Sequence, residues 1–531
     1  MSPFLLLAAA VILLCLLLNK LTSRLGIPVL LAFLVLGMVF GSDGLFKIHF
    51  EDYRLAEQVC STALIFIMFY GGFGTNWKTA RPVLKRSLLL STVGIVLTAA
   101  LTGLFCWKVL HFSFWEGMLV GSVISSTDAA SVFSILRSRR LNLKGGSASV
   151  LELESGSNDP CAYMLTMLVL AILSGEASGG SLAWMVFAQI VFGVLFGALC
   201  AWAATLVLSR ANFPAGGLDT IFVFSIALIS YAGASLLGGN GYLSTYIAGI
   251  ALGNGPVNNK KALVNFFDGV TGLMQMLLFF LLGLLSTPSR MPAVVLPALA
   301  IVLFLTFVAR PVTVFALLTP FRCPLRQQAL IAWSGLRGAA SIVFAITAVV
   351  SPAYTNQDIF HIVFFIVLFS IAVQGTLLPV MARRLDMIDA HADVMKTFSD
   401  YSEEMPVQFV KLTMQPGHPW TGRAVREIQL LPGLLLVVIR RGEERIIPNG
   451  DTVLEEGDCV VLSALSVEDQ SAGKLTEVPV DGDSEWRDQP LSQVRLGQHK
   501  LVAAIQREGS FLIPNGSTVI REGDILIISQ L

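Results

Sequence analysis

Charge is scarce in this 531-residue chain. Asp, Glu, Lys and Arg together supply 14% of the residues, against 54% hydrophobic ones, and the mean hydropathy is +0.73. An ordinary water-soluble globule of this length carries about a quarter of its residues as charges, so that class is excluded. Neither sign is in excess, with 36 basic and 36 acidic residues, and no basic field for nucleic acid is built in. Paired cysteines are missing as well. The seven (Cys15, Cys60, Cys106, Cys161, Cys200, Cys323, Cys459) are scattered, six of them in apolar runs, without zinc-site or disulfide spacing, and read as small core residues. No G-x-G-x-x-G follows a predicted strand, which argues against a dinucleotide lobe and NAD, and no TVGYG-like filter occurs.

What the chain does have is long apolar runs, filling residues 1 to about 385; ordinary charge-rich sequence follows. With about 20 apolar residues per span as template, roughly thirteen spans are expected, near 3–23, 28–43, 55–75, 83–107, 114–136, 147–173, 182–208, 218–238, 241–254, 264–286, 293–319, 326–350 and 359–382. The first, within MSPFLLLAAAVILLCLLLNK, has no basic residue ahead of its apolar run and reads as a spanning helix rather than a cleaved signal peptide. Basic residues fall on alternate connections (Lys20/Arg24, Lys78/Arg81/Lys85/Arg86, Arg137/Arg139/Arg140/Lys144, Arg210, Lys260/Lys261, Arg322/Arg326, Arg383/Arg384). By the positive-inside rule these are cytoplasmic, which predicts a periplasmic N-terminus and a cytoplasmic C-terminal tail. An odd count with one spare helix fits two inverted six-helix halves, about 1–174 and 218–385, each with a polar, small-residue interruption: G121-SVISSTDAAS131 and S334-GLRGAAS341.

An ionisable residue inside a span costs about 2.5–3.5 kcal/mol on insertion scales and marks function by default. The candidates are Asp128, the group Glu152, Glu154, Asn158 and Asp159, and the arginines Arg310 and Arg337. Glu154 with Asn158, and Ser155 with Asp159, are i,i+4 pairs, so all four can share one broad helix face. Gly156 and Pro160 are expected to loosen that helix. Ser125-Ser126-Thr127-Asp128 offers hydroxyls, carbonyls and a carboxylate, hard oxygen ligands suited to an alkali cation. Asp128 is equally a helix N-cap on this reading. Glu154 reads as the partner of either Arg310 or Arg337, Glu152 as solvated and outside the site, and Asp159 as the group hardest to explain structurally.

Thr127-Asp128 on an interrupted span, E154-S-x-x-N158-D159 on the next, A309-R310-P-V and G335-L-R337-G338 resemble the monovalent cation:proton antiporter family, NhaP-like first subfamily, over nearly all of residues 1–385. The resemblance implies an all-α membrane domain with broken, crossing helices. It makes Asp159 the transporting carboxylate, with Asp128, Ser155, Glu154 and the Thr127 backbone as cation ligands or their support, and Asn158, Arg337 and Arg310 holding the site. It implies one titrating carboxylate per cycle, because Asn158-Asp159 replaces the Asp-Asp pair of electrogenic relatives, and hence electroneutral exchange.

Residues 386–405 read as a polar connector. After it, LLVVIRRGEERIIPNGDTVLEEGDCVVLSA and LVAAIQREGSFLIPNGSTVIREGDILIIS repeat at one constant offset, each as strands joined by Asn-Gly and Glu-Gly-Asp turns. They resemble tandem TrkA-C (RCK-C) modules, small α+β regulatory units, expected at 406–466 and 490–531 with a linker at 467–489 between them. Such modules imply dimerisation, either as a clamp or as the sensor of a small, nucleotide-type ligand. The expectation is a bacterial inner-membrane secondary transporter, not an enzyme, most simply a homodimer exchanging K+ for H+ in pH homeostasis. Na+/H+ exchange, a tail-gated K+ channel and a membrane receptor are the alternatives.

Overall fold

The computed structural model describes residues 2–25, 28–139, 141–175, 178–210, 217–255, 257, 260–353 and 355–389; within 407–530 it describes all but 416–417, 429, 431–433, 443, 466–473, 481–483, 485, 495–499, 508–509 and 513. The chain forms two compact units, Met1–Glu403 and Glu404–Leu531.

The described residues of the first unit form helices α1 (Ser2–Leu25), α2 (Val29–Phe40), α3 (Tyr53–Gly74), α4 (Leu84–Lys108), α5 (Phe114–Val123), α6 (Ala129–Ser138), α7 (Ser147–Leu173), α8 (Gly179–Arg210), α9 (Leu218–Leu236), α10 (Gly241–Asn254), α11 (Lys260–Leu285), α12 (Pro292–Phe321), α13 (Leu325–Trp333), α14 (Ala339–Val350) and α15 (Ile359–Arg384). Read with α5–α6 and α13–α14 as two broken spans, they match the thirteen expected segments in order, and eight are long and apolar enough to cross a membrane. Polar residues set several helix starts by accepting otherwise orphaned backbone N–H groups. Asp52 caps α3, Ser113 and Glu116 form a capping box on α5, Asn240 caps α10 and Asp358 caps α15.

The internal repeat, faint in sequence, is explicit in the packing. At the α2–α11 contact a Cβ on Gly37 would lie 2.1 Å from the Phe280 carbonyl oxygen and 2.8 Å from the Gly283 Cα. At the α10–α3 contact a Cβ on Gly249 would lie 2.3 Å from the Phe69 carbonyl oxygen and 3.2 Å from the Gly72 Cα. The same small-residue contact is thus made twice, bringing backbones closer than any side chain permits. The equivalent helices, α2 with α10 and α3 with α11, stand seven spans apart, an odd number, so the two halves traverse in opposite directions. Their irregularities correspond too: both α4 and α12 carry a π-helical turn, at Leu90–Gly94 and Leu305–Ala309, and the two broken spans part after helices of ten and nine residues.

One expectation fails locally. Despite Gly156 and Pro160, α7 stays helical throughout. Gly156 serves a close approach instead, since a Cβ there would meet the Tyr246 ring at 2.6 Å, and the Pro160 carbonyl accepts from Asn240 Nδ2 at 2.8 Å.

The second unit holds two four-stranded antiparallel sheets, β1 (Val407–Thr413), β2 (Leu434–Arg441), β3 (Glu444–Ile446) and β4 (Cys459–Leu465) in order β1-β4-β2-β3, then β5 (Lys474–Pro479), β6 (Lys500–Arg507), β7 (Ser510–Leu512) and β8 (Ile525–Gln530) in order β5-β8-β6-β7. The register shift between Leu436 and Val438 recurs between Val502 and Ala504. Gly457 and Gly523 take φ of +86° and +83° in the equivalent Glu-Gly-Asp turns, which is why glycine is fixed there. Arg441 grips Asp458 through Nε and Nη2 at 2.8 and 2.9 Å, and Arg507 grips Asp524 likewise at 2.7 Å through both nitrogens. Each pairing holds its carboxyl below the usual range, the arginine hydrogen bonds being the main cause.

The boundaries need correcting at two places. Strand β5 lies inside the stretch expected as linker, 467–489, and pairs along its length with β8. It is an edge strand whose polar sequence, KLTEVP, lacks apolar alternation; the pairing comes from backbone hydrogen bonds that any sequence supplies. The beginning of the expected connector is also structured: Lys144 and Arg326 both reach Asp386, and Leu143 bridges Ile388. Residues 390–405, the rest of that connector, and residue 406, the expected start of the first module, lie outside the described residues.

Candidate ion-binding site

The two broken spans meet at their non-helical segments, 124–128 and 334–338. The Asp128 backbone N–H donates to the Leu336 carbonyl at 2.8 Å. Gly338 makes the crossing possible, because a Cβ there would stand 2.4 Å from the Asp128 Cβ and 2.1 Å from its Oδ2. Four helix ends therefore converge, two with orphan N–H groups and partial positive charge and two with orphan C=O groups and partial negative charge.

One side chain of each sign compensates them. Asp128 caps α6, its Oδ1 accepting from the Ser131 N–H at 3.1 Å and its Oδ2 from the Ser131 hydroxyl, while pressing on Gly338 at the start of α14. Arg337, buried, donates through Nη1 to the Ser125 and Ser126 carbonyls beyond the end of α5, at 2.6 and 2.8 Å. Its own N–H donates to the Ser370 hydroxyl on α15.

Helix α7 locks this crossing in place. The Ser155 hydroxyl accepts from the Ala129 N–H at 2.9 Å and donates to the Thr127 carbonyl at 2.8 Å; Asn158 Nδ2 donates to the Thr127 hydroxyl at 2.6 Å; the Ser126 hydroxyl donates to Asp159 Oδ1. Glu154 points elsewhere, its Oε1 lying 2.6 Å from Arg310 Nη2 with both side chains essentially inaccessible. Gly335 leaves room for that arginine, since a Cβ there would meet Arg310 Nε at 2.8 Å.

A cavity of about 440 Å³ opens against this assembly. Ser126, Thr127, Asp128, Ser155 and Asp159 line it from the crossing side, and α2, α3 and α11 supply the facing wall. Glu154, Asn158, Arg310 and Arg337 do not line it. The expected ligand set is thus brought together with one correction. Glu154 is withdrawn from the cavity into an ion pair, which also decides between its two possible partners in favour of Arg310. Of the two buried arginines, Arg310 pairs with Glu154 and Arg337 donates to the Ser125 and Ser126 carbonyls, while Asp159 lines the cavity and accepts from the Ser126 hydroxyl.

The chain's residues 9–384 match the family described as sodium/hydrogen exchanger, transmembrane, and residues 409–466 and 475–529 each match the TrkA-C domain. The chain belongs to the sodium/hydrogen exchanger family. Among similar members, the K(+)/H(+) antiporter NhaP2 of Shewanella baltica (strain OS223) is 35% identical over 478 residues, covering 88% of this chain and 82% of the relative. The K(+)/H(+) antiporter NhaP of Alkalimonas amylolytica is 36% identical over 375 residues, 69% of this chain and 64% of its own. The fold is similar to that of the sodium proton antiporter MjNhaP1 from Methanocaldococcus jannaschii, with TM-score 0.63 at 22% identity over 72% of this chain and 99% of that one. This exchanger-family chain is accordingly a polytopic cation/proton antiporter with a TrkA-C tail. The second TrkA-C match begins at residue 475, in agreement with β5 belonging to that module.

Sequence reasoning left two things out of the exchanger's cavity. Glu152, expected to be solvated and uninvolved, lines it one stripe with Ser155, Gly156 and Asp159. Asp268, Thr271 and Gln275 of α11 line it too and were not among the expected residues. Their signal was available: i, i+3 and i+7 polar residues on one face of an apolar helix.

Proposed function

We propose that this exchanger moves one cytoplasmic monovalent cation, K+ in preference to Na+, against one proton, with Asp159 occupied by each in turn. The observation that carries the reading is that Asp159 lines the cavity with Ser126, Thr127, Asp128 and Ser155, while the two buried arginines turn to Glu154 and to the Ser125 and Ser126 carbonyls. Protonated, Asp159 adds no charge there. Ionised, it adds one negative charge, which a single monovalent cation in the cavity offsets where uncompensated charge is prohibitive. Proton and cation therefore exclude each other at one carboxylate, and either loaded form carries the same charge. That makes the exchange electroneutral and removes the membrane potential as a driving force.

The Ser126 hydroxyl, the Thr127 backbone and Ser155, with Asp128 nearby, are the oxygens that replace water around a dehydrated alkali cation. Asn158 keeps Thr127 in place, and Arg337, Arg310 and Glu154 hold the crossing rather than the ion. The bundle bearing the crossed spans, drawn from both halves, rocks against the α2–α3–α11 wall, exposing the cavity to either side. The preference for K+ rests on the K+/H+ antiporters similar to the chain and on its TrkA-C modules. We place the N-terminus in the periplasm, the tail in the cytoplasm, the chain in a bacterial inner membrane as a homodimer, and a small ligand on the tail as regulator.

The test is dequenching of a pH dye in proteoliposomes on addition of K+, Na+ or Li+, with valinomycin to impose or clamp the potential. Wild type gives a K+-dependent signal indifferent to potential, and Asp159→Asn gives none. Cation-driven proton flux surviving in Asp159→Asn would remove Asp159 as carrier; K+ current without proton movement would favour the channel.

A further inference from the structure

Two helices present the same polar pattern to the cavity. On α7 it runs Glu152, Ser155, Gly156, Asp159; on α11 it runs Asp268, Thr271, Gly272, Gln275; all eight positions line the cavity. Each reads carboxylate, hydroxyl three residues on, glycine four on, and a second polar group seven on. Seven residues are two helical turns, about 10 Å of rise, so both stripes lead from an outer carboxylate toward the level of Asp159. Both helices enter from connections rich in basic residues, 137–144 and 260–261, so their outer carboxylates face the same side.

Thr271 shows that this wall is built for something besides packing. The residue is 8% exposed, it lines the cavity, and its hydroxyl oxygen has no hydrogen-bond partner among the described residues. A buried hydroxyl left unpaired costs about 1–3 kcal/mol, whereas threonines elsewhere in these helices donate back to the carbonyl four residues earlier, as Thr102, Thr166 and Thr245 do. Asp268 stands one turn out on the same stripe, held by a donated hydrogen bond from the Tyr70 hydroxyl at 3.3 Å. A carboxylate accepts up to about four such contacts, so that bond leaves capacity for an ion.

We propose that Asp268 and Thr271, with Glu152 across the cavity, form an outer subsite for a monovalent cation on its way to Asp159. The carboxylates draw the cation from the aqueous mouth, and the Thr271 oxygen replaces one of its waters before it moves inward. These are positioning groups: none exchanges a proton for the ion, and none belongs to the crossing itself. The subsite rests on the exchange reading given above and adds to it the wall that faces the carrier.

The experiment measures K+-driven proton flux in proteoliposomes of the full chain across a K+ titration. Asp268→Asn and Thr271→Val, the latter nearly isosteric, are expected to raise the half-saturating K+ concentration about fivefold to tenfold, with the maximal rate at saturating K+ retained; Asp268→Glu restores the wild-type value. If wild type shows no cation-driven proton flux, the exchange reading fails. If wild type exchanges but Thr271→Val and any folded Asp268→Asn keep its half-saturation, the subsite is refuted; so is it if the maximal rate alone falls.

Discussion

Removing either partner of the Glu154–Arg310 pair should damage the protein far more than removing both. The 2.6 Å contact joins side chains that are 1% and 2% exposed, and Arg337 lies close enough to repel Arg310. Glu154→Gln strands Arg310 beside a like charge, and Arg310→Gln strands Glu154; breaking a buried pair from one side costs about 3–5 kcal/mol. Over a unit of 403 residues, at about 2.1 cal/mol/K of unfolding entropy per residue, that corresponds to a midpoint lower by about 4–6 °C. The double variant removes one charge of each sign, keeps the balance at the crossing, and should recover most of the loss, a non-additivity well above the ~0.5 kcal/mol of independent sites. The assay is thermal unfolding of the purified protein in detergent, paired with K+/H+ exchange in proteoliposomes. Recovered stability with recovered exchange fits a strut. Were Glu154 a cation ligand, the double variant would regain stability without transport. Additive losses in the cycle would refute the pairing argument itself.

Two further outcomes follow from single contacts. Gly338→Ala should abolish folded protein or exchange, since its Cβ falls within 2.4 Å of the Asp128 Cβ and such overpacking costs about 1–3 kcal/mol or more; Gly269→Ala on α11, where a Cβ meets nothing within 4 Å, is the control and should be neutral or slightly stabilising. In the tail, Asp458 and Asp524 have their carboxyls lowered by Arg441 and Arg507, so the stability they contribute is full above the unfolded value of about 3.9 and disappears as pH falls through the lowered folded values. Urea midpoints of residues 404–531 should hold between pH 8 and 6 and fall below about pH 4, and an Arg441→Gln, Arg507→Gln chain should lose that acid-dependent part; an unchanged acid profile would contradict the pairing.

The spans, the two interruptions and the paired tail were legible because each is a local property. An apolar run long enough to span, a Ser/Thr/Gly break within one, or an Asn-Gly turn between strands needs no knowledge of its neighbours, since lipid or chain stereochemistry alone imposes the outcome. The residues of the crossing were legible for a related reason: charge inside an apolar run is costly enough that its presence signals a task. Sequence could not assign those charges among themselves. Glu154 and Asp159 lie five residues apart on one helix, yet one is drawn to Arg310 and the other faces the cavity, a difference set by where α12 and the 334–338 segment pass. Gly338 and Gly335 are indistinguishable from flexible-loop glycines until the backbones that press on them are in place.

The chain by itself therefore determined that buried ionisable residues lie within the spans, and on which segments, because desolvation makes such residues conspicuous wherever they occur. Only the tertiary structure decided that Glu154 pairs with Arg310, that Glu152 and the α11 stripe share the cavity with Asp159, and that the edge strand β5 completes the second module. Each of those depends on contacts between segments distant in sequence, where position in space, rather than residue type, sets the energy.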